Sequence, residues 1–209
     1  MLKIILRINK TVGALILFAI MILSASTLDA QGKIRIAMII APVNFYDKEY
    51  IEPKTIFTHN KAEVIVASTT MAIAVGRDGL KVQPDVIISD LNADNFDAIV
   101  LIGGRGVIKY LWDNQKLQNF VKDANRHHKV IAAICLTPAI LARAGILKGK
   151  NATCYPDKNL IRELKKAGVN YIDKEVVVDG NIVTGNGPDS AKAFGLKAWE
   201  VINLFSKRK

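Results

Sequence analysis

The sequence predicts an α/β domain in which a doubly wound, mostly parallel sheet is covered by helices on both faces. Short apolar runs alternate with longer amphipathic segments from Lys33 onward. Three of the runs, over residues 36–41, 98–102 and 130–134, are apolar at every position. Uninterrupted apolar strands are typical of parallel sheets buried on both faces, and alternating strands and helices indicate crossover connections.

The first half of the chain supplies three of the expected strands. Asp78-Gly79 separates two short apolar stretches, which predicts an exposed hairpin. Pro53 is expected to interrupt or bend the first helix. The predicted strands are Lys33–Ala41, Ala62–Ser68 and Asp97–Ile102, the helices are Tyr46–Asn60 and Asn114–Arg126, and the hairpin arms are Ala72–Val75 and Leu80–Ile87.

In the second half, a buried strand ends at Cys135 and a helix is expected to begin at once. Asp157 is the predicted cap of the next helix, and Gly168 is its predicted end. No repeat or linker interrupts residues 31–209, which indicates one domain. The predicted strands are Val130–Ile134, Ala152–Tyr155 and a hairpin of Glu175–Val178 with Asn181–Thr184, and the helices run to Ala144, over Asp157–Ala167 and over Asp189–Phe205.

Residues 1–30 form a separate segment that predicts export or membrane anchoring. Three positive residues precede an apolar stretch from Val12 to Leu23, and small residues follow it. This order is typical of a secretory signal peptide, with cleavage after Ser26 or Ala30. Residues 11–28 approach the length of a spanning helix, so an uncleaved membrane anchor is the alternative. In both cases we expect residues 31–209 to work outside the cytoplasm or tethered to the membrane.

Composition excludes several classes of protein. The net charge is +10, but the positive residues are dispersed and form no basic stripe with aromatic residues between them. This pattern argues against nucleic-acid binding. Two cysteines are too few for a disulfide framework. Half of the residues are apolar, with 14 glycines and 6 prolines, which indicates a globular domain.

Three features are expected to meet at the carboxyl ends of the strands, where sheets of this kind bind ligands. Cys135 stands at a strand-to-helix corner, where the unpaired N–H groups of a helix start favour the reactive thiolate. The glycine turn over residues 103–106 lets backbone N–H groups approach a ligand. Glu49 follows the first strand. Each feature alone also fits an ordinary structural role, but together they predict a nucleophile site.

Five stretches of the sequence form a recognisable series of motifs: Phe45–Glu49 with Pro53, Asp97–Gly104, Ala132–Cys135 with Pro138, Ala142–Lys150 and Thr184–Pro188. In this order and spacing they resemble the ThiJ/PfpI superfamily, a branch of the class I glutamine amidotransferase-like fold. The resemblance covers roughly residues 33–205. It implies a flavodoxin-like sandwich with a nucleophile elbow, and a homodimer or a larger homo-oligomer.

Carried over to this chain, the resemblance implies that Cys135 is the elbow nucleophile and that Glu49 hydrogen-bonds its sulfur. The backbone N–H groups of Gly104 and Leu136 would form the oxyanion hole. A Glu49 that its apolar surroundings keep protonated can donate a hydrogen bond to the sulfur and hold it ionised. The amide pair can stabilise negative charge on an oxygen. No cofactor and no metal is implied.

Two positions depart from the family pattern and leave the reaction open. Protease-type members carry a histidine directly after the cysteine, where this chain has Leu136. Another branch has a histidine where this chain has Tyr155. His59, His127 and His128 are expected away from the pocket, so a Cys–His hydrolytic dyad is not predicted.

Three further residues have alternative roles. If Tyr155 faces the pocket, strand alternation points Cys154 away from it, so we expect Cys154 in the core and not in a disulfide with Cys135. Tyr155 then supplies a phenol to the site or closes one wall of the pocket. Arg105 attracts an anionic group of the substrate or only decorates the glycine turn.

Two classes of function remain, with a third behind them. The first is a glyoxalase-like or deglycase-like enzyme that acts through Cys135 on a small-molecule carbonyl or its adduct. The second is a non-catalytic redox or stress sensor, or a chaperone-like protein, whose Cys135 is oxidised by a small oxidant. A cysteine peptidase is third, because the histidine partner is missing.

Overall fold

The structure is a computed structural model that describes residues 32–207. The predicted signal peptide or anchor lies outside these residues and stays a prediction; within residues 32–207 no helix is long and apolar enough to cross a membrane.

The strands are β1 (Arg35–Ile39), β2 (Val43–Phe45), β3 (Glu63–Ser68), β4 (Ala74–Gly76), β5 (Lys81–Val82), β6 (Val86–Ile87), β7 (Ala98–Leu101), β8 (Val130–Ile134), β9 (Asn151–Ala152), β10 (Asn170–Tyr171), β11 (Val176–Asp179) and β12 (Ile182–Gly185). The α-helices are α1 (Asp47–His59), α2 (Gly106–Tyr110), α3 (Gln115–Arg126), α4 (Pro138–Arg143), α5 (Lys158–Lys166) and α6 (Ala191–Ser206).

Seven strands form the central sheet in the order β11-β12-β8-β7-β1-β3-β6. All neighbours are parallel except β11 and β12, which form the predicted hairpin around Asp179-Gly180. The inner order β3-β1-β7-β8-β12 is that of a flavodoxin-like fold. The predicted doubly wound, mostly parallel sheet is therefore confirmed.

Helices cover both faces of the sheet, and alternate residues of β1 show how the two layers are built. Ile36 and Met38 pack in a cluster with α1 and α6, whereas Ala37 and Ile39 pack in a cluster with α3, α4 and α5. All four side chains are fully buried. Burial on both faces explains why the inner strands are apolar at every position.

The first helix is not interrupted at Pro53. α1 is one helix with Pro53 inside it, and the proline is buried against α6 at Gly195. A Cβ atom on Gly195 would lie 2.9 Å from the Cα of Pro53 and 2.8 Å from Ile56 Cδ1. The two helices therefore touch almost backbone to backbone, and the contact depends on the missing side chain.

The predicted hairpin around Asp78-Gly79 forms as β4 and β5, but its surroundings differ from the prediction. The hairpin is not wholly exposed, since Ala74 and Val82 are buried. Its second arm ends at Val82, and the chain continues to β6 at the edge of the central sheet. The unpredicted strand β2 pairs with β4 and completes a small sheet of three strands.

Two other elements are shorter than predicted. β9 ends at Ala152 and pairs with β10 in a separate sheet. It does not extend further because the next N–H, that of Thr153, donates to the side-chain Oγ1 of Thr184 at 2.9 Å and not to a backbone carbonyl. α4 begins three residues after Cys135. The intervening turn is closed by the N–H of Thr137, which donates to the carbonyl oxygen of Ile134 at 3.2 Å.

Replacing Gly195 by Val should lower the free energy of unfolding by about 2 kcal/mol or more, because the new side chain must push α1 and α6 apart. Ala193→Val is the matched control, since it adds the same branched group at an exposed site of the same helix. Its cost should stay near the helix-propensity difference of about 0.5 kcal/mol. Urea denaturation of the three proteins measures both values, and equal costs would show that the helix contact is not tight.

Candidate active site

The site lies at the carboxyl ends of β1, β7 and β8. The strand order changes direction between β1 and β7, and this switch point is where flavodoxin-like sheets bind ligands. Glu49 comes from α1, Gly103 and Gly104 follow β7, and Cys135 follows β8. The structure therefore brings together the three features that the sequence singled out.

Cys135 has the backbone geometry of a nucleophile elbow. Its φ angle is 64°, in the left-handed region that residues other than glycine rarely adopt. The strain is held by backbone bonds on both sides: the N–H of Cys135 donates to Gly185 O at 2.9 Å, and its carbonyl oxygen accepts from the N–H of Tyr155 at 2.8 Å. The residue is only 5% exposed, and it lines the pocket above the strand ends.

Two backbone N–H groups lie at the sulfur and lower the pKa of its thiol. They belong to Gly104 and Leu136, the two residues named for the oxyanion hole. The N–H of Leu136 and the carbonyl of Cys135 are parts of one peptide group. Because Tyr155 donates to the carbonyl end, it both orients this peptide and polarises its N–H.

The glycine turn can approach this closely only because it lacks side chains. A Cβ atom on Gly103 would lie 2.5 Å from Glu49 Oε2 and 2.6 Å from Cys135 Cβ. Gly104 has a φ of 111°, and a Cβ there would lie 2.5 Å from the carbonyl oxygen of Asn44. Any larger residue at either position would displace the groups around the sulfur.

Glu49 is fully buried, and its carboxyl group lies in hydrogen-bonding contact with the Cys135 side chain. Its Oε2 accepts the N–H of Gly103 at 3.0 Å, while its Oε1 has no hydrogen-bond partner among residues 32–207. Burial raises the pKa of Glu49 to about 8, against the smaller opposing effects of the Cys135 and Gly103 hydrogen bonds. The carboxyl group is thus mainly protonated at neutral pH.

Cys135 is not a simple low-pKa thiol. Burial, and then the neighbouring Glu49, raise the pKa of its thiol, whereas the N–H groups of Gly104 and Leu136 lower it. The sequence-based expectation that the N–H groups of a helix start favour the thiolate is wrong: the N–H groups that lower the pKa belong to Gly104 and Leu136, which precede α2 and α4, and burial outweighs them. Two buried anions in contact repel each other, so the pair carries at most one negative charge. The thiolate therefore exists only while Glu49 keeps its proton.

A pocket of about 760 Å³ opens above Cys135. Tyr155 and Arg105, the two candidates for the pocket, both line it, and the Tyr155 side chain is 44% exposed. None of the three histidines lines this pocket, and His127 instead pairs with Asp94 at 3.0 Å. Neither sequence nor structure therefore gives Cys135 a histidine partner among the described residues.

Cys154 is buried in the core, as predicted, and both cysteines are free. Its thiol donates to the carbonyl oxygen of Tyr155 at 3.3 Å. Burial, with a smaller contribution from Asp157, raises the pKa of Cys154 to about 12. Cys154 is therefore a structural residue that keeps its proton.

Sequence reasoning missed the wall of the pocket beside α5. The indole N–H of Trp112 donates to the carbonyl oxygen of Leu136 at 2.9 Å. The guanidinium of Arg143 lies 4.6 Å from the Trp112 ring and pairs with Asp113 at 2.7 Å and Glu163 at 2.6 Å. No local pattern marks these residues, because they come from three separate elements.

A flavodoxin-like sheet that presents a cysteine elbow, a carboxyl group and two N–H groups at its switch point defines a nucleophile-elbow protein of the glutamine amidotransferase-like class. The sequence pattern of the DJ-1/PfpI family matches residues 34–201. The chain belongs to this family.

Several relatives support the assignment. An uncharacterized protein of Methanocaldococcus jannaschii is 49% identical over 168 residues, 80% of this chain and 82% of that protein. A protein of Pyrococcus abyssi named as a deglycase is 36% identical, over 75% of this chain and 93% of that protein. The crystal structure of a ThiJ/PfpI domain protein from Brachyspira murdochii superposes on this chain with a TM-score of 0.78 at 36% identity. The match covers 83% of this chain and 99% of the Brachyspira chain.

The buried carboxyl group predicts a specific pH dependence of stability. The folded-state pKa of Glu49 is about 8, above its ordinary 4.5, so wild type should lose stability as pH rises from about 5 to 8. Glu49→Gln removes this loss, and its stability relative to wild type should rise by roughly 2–4 kcal/mol over that window. The control Glu52→Gln, on the same helix outside the site, should follow wild type. Urea titrations at each pH measure the differences, and parallel profiles for wild type and Glu49→Gln would contradict the buried proton.

Proposed function

We propose that this chain is a deglycase-like enzyme that uses Cys135 to attack reactive carbonyl compounds or their adducts. One observation carries the proposal: the carboxyl group of Glu49 and the N–H groups of Gly104 and Leu136 converge on a single sulfur at the end of a pocket. The likeness to a relative named as a deglycase supports the same class of reaction.

The first chemical step is addition to an aldehyde carbon. The thiolate sulfur of Cys135, formed while Glu49 keeps its proton, forms a bond to the carbon, and the π electrons of the carbonyl move onto its oxygen. The N–H groups of Gly104 and Leu136 stabilise this oxygen, and Glu49 supplies the proton that makes it a hydroxyl group. A protonated Glu49 at neutral pH suits this acid role.

The second step is proton transfer between the two carbons of a dicarbonyl substrate. Glu49, now a carboxylate, removes the proton from the carbon bonded to sulfur and returns a proton to the neighbouring carbon, while the hydroxyl proton on the first carbon moves to the oxygen of the second. The product is a thioester on Cys135, which water cleaves to a 2-hydroxy acid and the free thiol. For methylglyoxal the net reaction adds one water molecule and yields lactate, so one carboxyl group serves as acid and then as base.

Peptide hydrolysis is less well supported by this geometry. A peptidase must protonate an amine leaving group, for which cysteine peptidases use a histidine. Leu136 and Tyr155 stand where family members carry that residue, and no histidine lines the pocket. The carbonyl reaction needs no such group, because its proton transfers pass through Glu49.

Cys135→Ser should reduce the conversion of methylglyoxal to lactate at least 100-fold, since a serine hydroxyl is a far weaker nucleophile without a strong base. Glu49→Gln should lose about 100-fold or more in kcat, because it cannot relay protons. The control Cys154→Ser removes the other thiol, which lies in the core, and should keep most of the activity. Lactate formation by the full-length proteins gives the comparison; similar rates for wild type and Cys135→Ser would end the proposal.

The same arrangement favours a second candidate, a sensor of oxidants. The protonated Glu49 and the N–H groups of Gly104 and Leu136 offer three donors to oxygen atoms bonded to the Cys135 sulfur. Each peroxide molecule would transfer one oxygen atom to the sulfur and leave as water, which gives first a sulfenate and then a sulfinate. The export predicted from residues 1–30 would expose the thiol to oxidants.

Mild peroxide should add two oxygen atoms to the wild-type protein and none to Cys135→Ser, as measured by intact mass. Glu49→Gln should pass more readily to the three-oxygen sulfonate, since its amide is a weaker donor to the sulfinate than a carboxyl group. An unchanged wild-type mass under these conditions would exclude the sensor role.

A further inference from the structure

We propose that Arg77 and Arg105 form a subsite for an anionic group, a carboxylate or a phosphate, on the compound that reaches Cys135. The inference deepens the proposed function, on which it rests, by naming the chemical class of the substrate: a carbonyl compound or adduct that carries a negative charge. Both arginines line the pocket above Cys135. They come from different parts of the chain, which the fold brings to the same pocket.

Arg105 is the unpaired cation of the two. It directly follows Gly104, whose N–H contacts the Cys135 sulfur, so its backbone lies beside the oxyanion donors. Its side chain is exposed, and its guanidinium has no hydrogen-bond or ion-pair partner among residues 32–207. All of its N–H donors are therefore available to a ligand.

Arg77 is held at the same pocket by its neighbours. Its guanidinium stacks on the ring of Tyr46 with 4.8 Å between Cζ and the ring centroid, and its Nη1 donates to the Tyr46 hydroxyl at 2.7 Å. Its only ion pair among residues 32–207 joins Nε to Asp78 at 3.8 Å, between two half-exposed side chains. The remaining N–H groups stay free, and stacking has already fixed the plane of the guanidinium.

The backbone connects Arg77 to the glycine turn. The N–H of Arg77 donates to Phe45 O at 2.8 Å, and the N–H of Tyr46 donates to Gly103 O at 3.0 Å. The buried carboxylate of Asp47 accepts the N–H groups of Asp78 and Leu80 at 3.0 and 2.8 Å and so holds the hairpin turn in place. Arg77 is thus anchored to the same turn that carries Arg105.

The acidic residues of the pocket are already paired. Asp157 accepts two N–H groups at the start of α5, at 2.9 and 3.0 Å. Glu163 pairs with Arg143 at 2.6 Å. Two guanidinium groups without strong partners thus stand near the nucleophile, and their planar forks match the geometry of a carboxylate or phosphate.

The test compares two alkylating reagents of similar size on the full-length protein, iodoacetate and iodoacetamide. Both form a bond from the Cys135 sulfur to carbon and release iodide, but only iodoacetate is charged. The ratio of their rates, followed by intact mass, reports the anion preference at the sulfur without any need for turnover. Replacing Arg77 and Arg105 together by Gln should lower the iodoacetate-to-iodoacetamide ratio about tenfold, and added salt should reduce the wild-type preference.

Two control variants and two competitors complete the experiment. Arg126→Gln removes one positive charge outside the pocket and should leave the ratio unchanged, and Cys135→Ser should abolish the alkylation. Lactate and inorganic phosphate, tested separately as competitors of iodoacetamide, identify the anion: protection by one of them assigns the subsite to carboxylates or to phosphates. A double variant with the wild-type ratio overturns the proposal.

The outcome is independent of whether the chain is a deglycase. Loss of the iodoacetate preference in the double variant supports the subsite even if methylglyoxal is not converted to lactate. Conversely, lactate formation together with an unchanged ratio keeps the enzyme and removes the anion subsite. The two arginines act on binding, so their effect on turnover of an anionic substrate should appear in KM more than in kcat.

Discussion

The structure of the site depends on one steric constraint, the close fit of Gly103 and Gly104 between three neighbours. The turn has no side chain, so its backbone reaches the Glu49 carboxyl, the Cys135 sulfur and the strand before α1 at the same time. Each contact uses a different polar group of the same two residues. Burial of the carboxyl group, the orientation of the N–H groups at the sulfur and the position of the β2 segment all follow from this fit.

Most of the fold could be predicted, because its strongest signals are local. Runs such as Val130–Ile134 are apolar at every position, and only a strand buried on both faces needs that composition. The errors arose where a distant partner decides the structure. Val43–Phe45 becomes a strand because β4 pairs with it, although Asn44 has a φ of 59°. β9 stops at Ala152 because the side chain of Thr184 accepts the hydrogen bond of the next N–H, that of Thr153.

The candidate site, like the fold, could be predicted only where its signals are local in the sequence. Cys135, Glu49 and the glycine turn could be found, because strand ends mark their positions and parallel strands bring those ends together. The ionisation of the pair could be only half predicted: the sequence suggests a protonated Glu49, but the extent of burial around the sulfur is a property of packing. Trp112 and Arg77 could not be found, since each reaches the site through contacts distant in the sequence.

One hydrogen bond links the backbone of Cys135 to the segment between β9 and α5, which forms part of the pocket rim. The N–H of Tyr155, in this segment, donates to the carbonyl oxygen of the peptide that joins Cys135 to Leu136, and the N–H of the same peptide lies at the sulfur. A thermodynamic linkage of this kind is reciprocal. A molecule bound against that segment would tune the donor at the sulfur, and a covalent change at the sulfur would alter the order of the segment. The order of the pocket rim should therefore change with the chemical state of the Cys135 sulfur.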